Sequence, residues 1–398
     1  MTAKKRTILE PHVESILAER YYVENEDWSK LCTRVATALF PADEETRQKV
    51  YQMYFDRDGI MGSPTLMNAG ARLGMLSSCF IYPIHDSLDG IFYTLHLTAK
   101  TFKMGGGAGT DFSPLRPAGS LLFSTGGKSS GPLSFMENFN SVGVSVSGGG
   151  LRKAAQLGAM IAMHPDIEDF IWVKANAAKT GNSEKLAMLN LSVASPELFF
   201  RAMEFEKSYP NNWFYCEKPN EWKMVEPADG DEPPVQTPDL HYRRGKDGLW
   251  ILHWRCKFYG KVMSANHLLR QVAEAAWLCG CPGLIFIDEV NKYNYVPNIG
   301  QIRNPNPCGE FYGPAYSTCN LSSINLNNFC VPKTDKGWEW EFDWRRYEIA
   351  VRLATRCLDQ VVSINKLPCQ QSMNVTQAIR PLGLGFFGTA NVLIRMGL

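Results

Sequence analysis

The chain has 398 residues, 45% apolar and 20% charged, with 41 basic against 40 acidic side chains and a formal charge of +1. That size and composition describe a folded, soluble chain with enough apolar content for one large core or two domains. The near-zero charge gives no electrostatic case for nucleic acid or membrane as a direct partner. Eleven cysteines at irregular spacing, no apolar N-terminal leader and no run of eighteen apolar residues exclude a spanning helix and a small disulfide scaffold, and a reducing cytoplasm is the expected location.

In chain order, Glu10 to about Tyr54 shows helical periodicity, as at Leu31, Val35, Ala38 and Leu39, and forms a helical cap. A second helix is expected from Ser87 or Asp89 as N-cap through Ile91, Phe92, Leu95, Ala99 and Phe102, ending at Gly105-Gly106-Gly107. Between Phe205 and Trp254 the composition turns to Pro, Asp, Glu, Lys and Trp, including the turn-rich stretch from Pro227 to Pro234, a surface excursion. A third helix runs from near Ser264 to Gly280 and leads into an apolar strand, Leu284 to Asp288. Helix followed by short buried strand, repeated, implies an α/β sheet or barrel wrapped by helices.

The most informative run is Asn306-Pro307-Cys308-Gly309-Glu310, followed by Thr318-Cys319-Asn320-Leu321. In an extended strand, residues i, i+2 and i+4 share a face, so an amide, a thiol and a carboxylate would align, with Cys308 and Glu310 roughly 6.6 Å apart. Pro307 donates no backbone hydrogen bond and argues for a special loop or sheet edge there. Cys308, between Asn and Glu, is a poor candidate for a purely apolar role. Cys79, after Ser77-Ser78, reads equally as packing or as chemistry. Cys279-Gly280-Cys281 lacks a second pair or a nearby His and is structural. Cys32, Cys216, Cys256, Cys330, Cys357 and Cys369 are packing residues or exposed thiols.

Three glycine-rich stretches separate by context. Gly105 to Gly109 follows a helix and so lacks the helix N-terminus of a phosphate cradle. Gly383-Leu384-Gly385-Phe386-Phe387-Gly388 matches a dinucleotide fingerprint in letters, but no acidic residue follows at the required distance, and a Rossmann site is rejected. Ser147-Gly148-Gly149-Gly150 before Leu151-Arg152-Lys153 is a turn, with the basic pair keeping a phosphate site open.

Ordered along nearly the whole chain, Ser63 to Gly70, Leu76 to Phe80, Asp86 to Asp89, Gly105 to Gly109, Leu115-Arg116-Pro117, His164 to Ile167, Asn190 to Val193 and the cysteine centre make this sequence resemble the catalytic subunit of ribonucleotide reductase. The resemblance implies a ten-stranded α/β barrel around a central finger loop. Residues 1–60 would be the N-terminal helical region, and 61–398 the N-terminal portion of the barrel with its loop near 304–312. It also implies that Cys308 becomes a thiyl radical and takes the 3′-hydrogen of a ribonucleotide, that Glu310 is the general base for the 3′-hydroxyl, and that Asn306 orients the hydroxyls through its amide. Cys79 and Cys319 would supply a proton and two electrons by forming a disulfide. Ser63, Thr65, Ser78 and Gly107 would contact substrate, Gly107 by letting backbone approach it. Asp86 and Arg116 would bind a deoxynucleotide or ATP effector; without the resemblance, Asp86 is equally a helix N-cap and Arg116 a solvated charge.

The same resemblance sets expectations about what accompanies the chain. It begins almost directly with the helical cap, leaving no room for an N-terminal ATP-binding cone, and it stops at Leu398 while the family's barrel continues. A second polypeptide is therefore expected to complete the barrel, from a split gene or trans-splicing, unless the sequence is truncated; a thioredoxin-like reductant and homodimer formation are also implied. The eleven positions from Cys308 to Cys319 and the Asn-Pro-Cys-Gly-Glu wording favour the adenosylcobalamin-dependent class, with a separate metal-containing radical subunit as the alternative and no metal cluster in the chain itself. Two other function classes stay open: a nucleotide- or partner-binding fragment without activity of its own, and a glycyl-radical enzyme of the same barrel.

Overall fold

The computed structural model describes residues 9–147, 155–181, 185–208, 214–218, 221–224, 241–244, 250–253, 262–333 and 339–398. The turn expected over 148–153, the stretch 227–234 and the side chains of Cys216 and Cys256 lie outside the described residues.

Three helices open the chain, α1 (Pro11–Arg20), α2 (Trp28–Leu39) and α3 (Glu44–Phe55). Asp27 caps α2 by accepting from the Lys30 amide at 2.8 Å, and Asp43 caps α3 by accepting from that of Thr46. The buried stripe of α2, Leu31, Cys32, Val35, Ala36 and Leu39, recurs at three- and four-residue spacing. There follow β1 (Gly59–Met61), α4 (Ser63–Asn68), β2 (Cys79–Tyr82), α5 (Leu88–Lys103), β3 (Gly107–Asp111), α6 (Pro132–Ser147), β4 (Gln156–Ile161), α7 (Ile167–Lys179), β5 (Leu189–Ser195) and α8 (Glu197–Ser208). The expected surface excursion holds four strands of a sheet whose fifth follows it: β6 to β10 (Phe214–Lys218, Glu221–Met224, His241–Arg244, Trp250–His253, Val262–Met263) pair antiparallel in the order β10-β6-β7-β9-β8. The rest comprises α9 (Ala265–Cys279), β11 (Gly283–Phe286), α10 (Ile287–Lys292), β12 (Thr318–Cys319), β13 (Leu321–Asn325), β14 (Cys330–Pro332), β15 (Trp340–Phe342), α11 (Trp344–Ile364), α12 (Gln370–Ile379), β16 (Gly383–Phe387) and α13 (Thr389–Met396).

Helix α5 starts behind Ser87, whose hydroxyl accepts from the Gly90 amide, so Ser87 and not Asp89 is the N-cap. Helix α9 runs from the Ser264 cap to Gly280, which takes the left-handed conformation at φ 74°. The expected strand from Leu284 to Asp288 is shorter: β11 stops at Phe286, and Ile287 opens α10, whose first-turn carboxylates Asp288 and Glu289 favour a helix start.

The main sheet has the order β11-β5-β4-β3-β2-β12, parallel from β11 to β2 and antiparallel at β12. Only Asn320 separates β12 from β13, the central strand of a second sheet ordered β1-β13-β16. One stretch of chain thus passes from sheet to sheet and curls the strands around a common interior. The faces follow from alternation. Phe80, Tyr82 and Ala108 join one outer core, and Met160, Leu189, Leu191 and Val193 join another with Phe170, Val272 and Phe139 from the helices. Leu157, Ala159, Ala194 and Ile285 face the interior, where Tyr312 packs on them. The N-terminal helices pack through Leu31, Val35, Val50 and Tyr54 against Ala354, Leu358 and Val361 of α11 and Ile324 of β13.

Candidate active site

The interior of the curl is filled by the loop 304–312, closed at its base by an isolated antiparallel bridge between Pro305 and Tyr312. Within it the backbone is not extended. The Asn306 amide donates to the Phe311 carbonyl at 3.0 Å, the Gly309 amide donates to the Asn306 carbonyl at 3.1 Å, and Gly309 has φ 85°. The strand expected over Asn306 to Glu310 is therefore corrected to a tight loop, the alternative that Pro307 pointed to.

The Asn306 side chain builds this loop. Its Oδ1 accepts from the amides of Gly309 at 3.1 Å and Phe311 at 3.0 Å, the self-bonding that makes Asn a turn residue. The carbonyl end is thereby occupied, and only Nδ2 remains for another group. That nitrogen is fully buried without a well-formed hydrogen bond and lies against the Cys79 sulfur, lowering the thiol's pKa.

The neighbouring strands explain why the loop can enter. A Cβ on Gly107 would meet the Ala155 carbonyl at 2.7 Å and Pro307 at 3.0 Å, and one on Gly109 would collide with the Pro305 carbonyl. Gly107 thus lets the loop approach the strand closely. On the other side, Asn190 Nδ2 donates to the Pro307 carbonyl at 3.1 Å. An Asn inside the apolar run Leu189 to Val193 was the signal for this role, which was not anticipated.

Cys79 opens β2 and faces Cys319 directly across the β2–β12 pairing, so their side chains share a face. Cys79 and Cys319 are buried at 3% and 2% exposure, whereas Cys308 is exposed. One ligand-type atom each from Cys79, Cys308 and Glu310 lies within 4.8 Å of the other two. The largest single influence on the Cys79 thiol is a hydrogen bond with Cys308, which lowers its pKa. A hydrogen bond with Cys319, burial and the charge Cys319 can carry outweigh that and the Asn306 contribution, and Cys79 is pushed up to about 12. The fold thus joins three thiols, a carboxylate and an amide drawn from three separate stretches of sequence.

Beneath the pair lies a buried polar network. Asn365 Nδ2 donates to Ser77 Oγ at 2.6 Å, Ser77 Oγ donates to Asn320 Oδ1 at 2.7 Å, and Asn365 Oδ1 accepts from the Leu76 amide at 2.8 Å. These residues flank Cys79 and Cys319 and fix both strand segments to the end of α11. The remaining expected contacts are more dispersed. Ser63 Oγ is hydrogen-bonded with Tyr21 Oη at 2.9 Å, and Thr65 Oγ1 donates to the Leu76 carbonyl at 3.2 Å. Ser78 is buried next to Cys79, its amide donating to the Cys319 carbonyl at 3.4 Å and its carbonyl accepting from Gly107 at 2.9 Å.

Asp86 and Arg116 come together beyond the opposite, C-terminal ends of β2 and β3. Arg116 Nε donates to Asp86 Oδ2 at 2.9 Å and Oδ1 at 3.0 Å, and the Arg116 amide donates to Oδ1 at 3.1 Å. Asp86 is not the N-cap of α5, and Arg116 is a paired rather than a solvated charge. Both stay about a quarter exposed. Among the described residues, no helix is long and apolar enough to cross a membrane.

Comparison with known proteins agrees with this architecture. Residues 77–398 match the family described as ribonucleotide reductase, barrel domain, and residues 11–74 match ribonucleotide reductase, all-alpha domain. The vitamin B12-dependent ribonucleoside-diphosphate reductase of Thermoplasma acidophilum is 36% identical over 339 residues, covering 85% of this chain and 38% of that protein. The protein of the same description from Mycobacterium tuberculosis H37Rv is 33% identical over 398 residues, covering 96% of this chain and 49% of that one. The chain thus spans half or less of the length of these relatives. Among solved structures, the class Id ribonucleotide reductase alpha subunit of Actinobacillus ureae superposes with TM-score 0.69 at 20% identity, over 97% of this chain and 61% of that one, a likeness of fold. With its helical N-terminus, its curled α/β barrel strands and the loop they enclose, the chain belongs to the ribonucleotide reductase large-subunit family.

Proposed function

We propose that this chain carries the catalytic centre of a ribonucleotide reductase that replaces the ribose 2′-hydroxyl by hydrogen through a thiyl radical. The observation that supports it is the convergence of Cys79, Cys308 and Glu310 within 4.8 Å, with Cys319 opposite Cys79 in register. Cys308, as a sulfur radical, takes the 3′-hydrogen and later returns it. Glu310 accepts the 3′-hydroxyl proton. The 2′-hydroxyl leaves as water with one proton from the thiol pair, and as Cys79 and Cys319 form their S–S bond the two electrons they release and their second proton make the new C2′–H bond. Burial suits the reducing pair, because a high pKa keeps a proton on Cys79 until the leaving group needs it. Asn306, its carbonyl end held by the loop, offers its buried Nδ2 to Cys79 or a substrate hydroxyl. Ser63, Thr65, Ser78 and Gly107 are the substrate contacts that the family resemblance implies, and the Asp86–Arg116 pair receives a nucleotide effector.

The relatives named as vitamin B12-dependent support adenosylcobalamin as cofactor. What this chain offers to it is the exposed sulfur of Cys308, open to a group held outside the described residues. When bound, adenosylcobalamin supplies the hydrogen abstraction that generates the thiyl radical. The remaining part of the barrel, on a second polypeptide or on a continuation of this one, completes the fold, a thioredoxin-like protein restores the thiols, a homodimer is the assembly, and the reducing cytoplasm is the compartment. The test mixes the chain with its complement, a ribonucleotide, a dithiol and adenosylcobalamin. Deoxyribonucleotide should form and should vanish in Cys308→Ser with the fold intact by circular dichroism; product from that variant rejects the assignment of Cys308.

A further inference from the structure

The atoms that converge at this centre are also the donors that a soft metal ion prefers. Zinc is held tetrahedrally by thiolate sulfur at about 2.3 Å and carboxylate oxygen at about 2.0–2.2 Å, which sets its ligands about 3.5–3.8 Å apart. Cys79, Cys308 and Glu310 present two sulfurs and an oxygen already within 4.8 Å. Each would move by less than about 1 Å to reach that spacing. Cys308 and Glu310 are exposed and flank Gly309, which has open space around it, so side-chain rotation suffices, while buried Cys79 is a fixed anchor.

A second observation points the same way. Asn306 Nδ2, fully buried and without a well-formed hydrogen bond, lies against the Cys79 sulfur. A metal-bound thiolate accepts a charge-assisted hydrogen bond from such a donor, as outer partners of metal ligands commonly provide.

We propose that Cys79, Cys308 and Glu310 form a site for a thiophilic divalent cation, Zn²⁺ or Cd²⁺, with solvent in the fourth position, and that its occupancy blocks chemistry at Cys308. Two S–H bonds break and two metal–sulfur bonds form. Two protons pass to solvent, and no group changes oxidation state. Thiolate donors select such ions over magnesium or calcium. A Cys79–Cys319 disulfide removes one of the three donors, so the oxidised centre releases the ion. That redox dependence rests on the pairing proposed above; uptake by the reduced chain does not.

The experiment titrates the reduced 398-residue chain with Cd²⁺ against a competing chelator, following the ultraviolet sulfur-to-cadmium charge-transfer band. Perturbing outer partners alone costs roughly 10–100-fold in metal affinity, so Cys308→Ser should weaken one equivalent by at least about 100-fold, and Cys79→Ser should do the same. Cys319→Ser should keep it. Unchanged stoichiometry and affinity in Cys308→Ser, or in a folded Cys79→Ser, overturns the site. Circular dichroism checks each fold, and the exposed loop position of Cys308 keeps the test informative if Cys79→Ser is unstable. Mild oxidation should release the ion from the parent but not from Cys319→Ser. Equal release from both contradicts the redox gate while leaving the reduced-state result to judge the metal site separately.

Discussion

Cys308 and Cys79 sit side by side in opposite environments, and a thiol reagent should tell them apart. Iodoacetamide at pH 8 is expected to modify exposed Cys308 well before Cys79, whose burial and contact with Cys319 keep it protonated; peptide mass spectrometry reads the order, and equal rates would contradict the geometry. The same shift has a stability consequence. Cys79 has its pKa raised from 9.0 to about 12 in the fold, so between those values the folded chain holds a proton that the unfolded chain has released. Its stabilising contribution is complete below pH 9 and is lost as pH rises toward 12. A urea midpoint measured across that window should fall less steeply in Cys79→Ser than in the parent.

At the level of the elements, the loop 304–312 depends on glycines in the strand behind it. Gly107→Ala places a methyl group 2.7 Å from the Ala155 carbonyl and 3.0 Å from Pro307. We expect it to cost about 1–3 kcal/mol, as overpacking does, and to disturb Cys308 more than the distant helices. Asn365→Ala leaves the Leu76 amide without its partner and removes one of the bonds of Ser77 Oγ, which still donates to Asn320, and at about 1–3 kcal/mol for an unsatisfied buried group it should lower stability by roughly 1–3 kcal/mol in urea unfolding. Part of this was legible in the sequence. Capping residues and apolar periodicity mark α2, α5 and α9, because those signals are local. The Asn306 to Glu310 segment misleads as a strand because alternation says nothing of the Pro305–Tyr312 bridge or of the φ of Gly309. The register that sets Cys79 opposite Cys319, and the contacts of Asn190 and Asn365, are long-range and leave no spacing to read.

At the scale of the whole molecule, β11 and β16 are edge strands of their sheets among the described residues, with Phe286 53% and Phe386 63% exposed. Apolar edges of this kind pair with other chains. The chain alone is expected to self-associate in sedimentation, and Phe386→Lys should shift it toward monomer; an unaffected distribution would show that the edge is not the contact. The Asp86–Arg116 pair sits beyond the C-terminal ends of β2 and β3, the strands whose N-terminal ends carry Cys79 and Gly107. Strands β2 and β3 therefore run between the proposed effector pair and the proposed chemistry. The most direct measurement of that chemistry is a single turnover without added dithiol: reduced chain, complement, ribonucleotide and adenosylcobalamin, with deoxyribonucleotide counted against disulfide mapped by mass spectrometry. One product per chain, matched by one Cys79–Cys319 disulfide, is the predicted result; product without oxidation of that pair would contradict it.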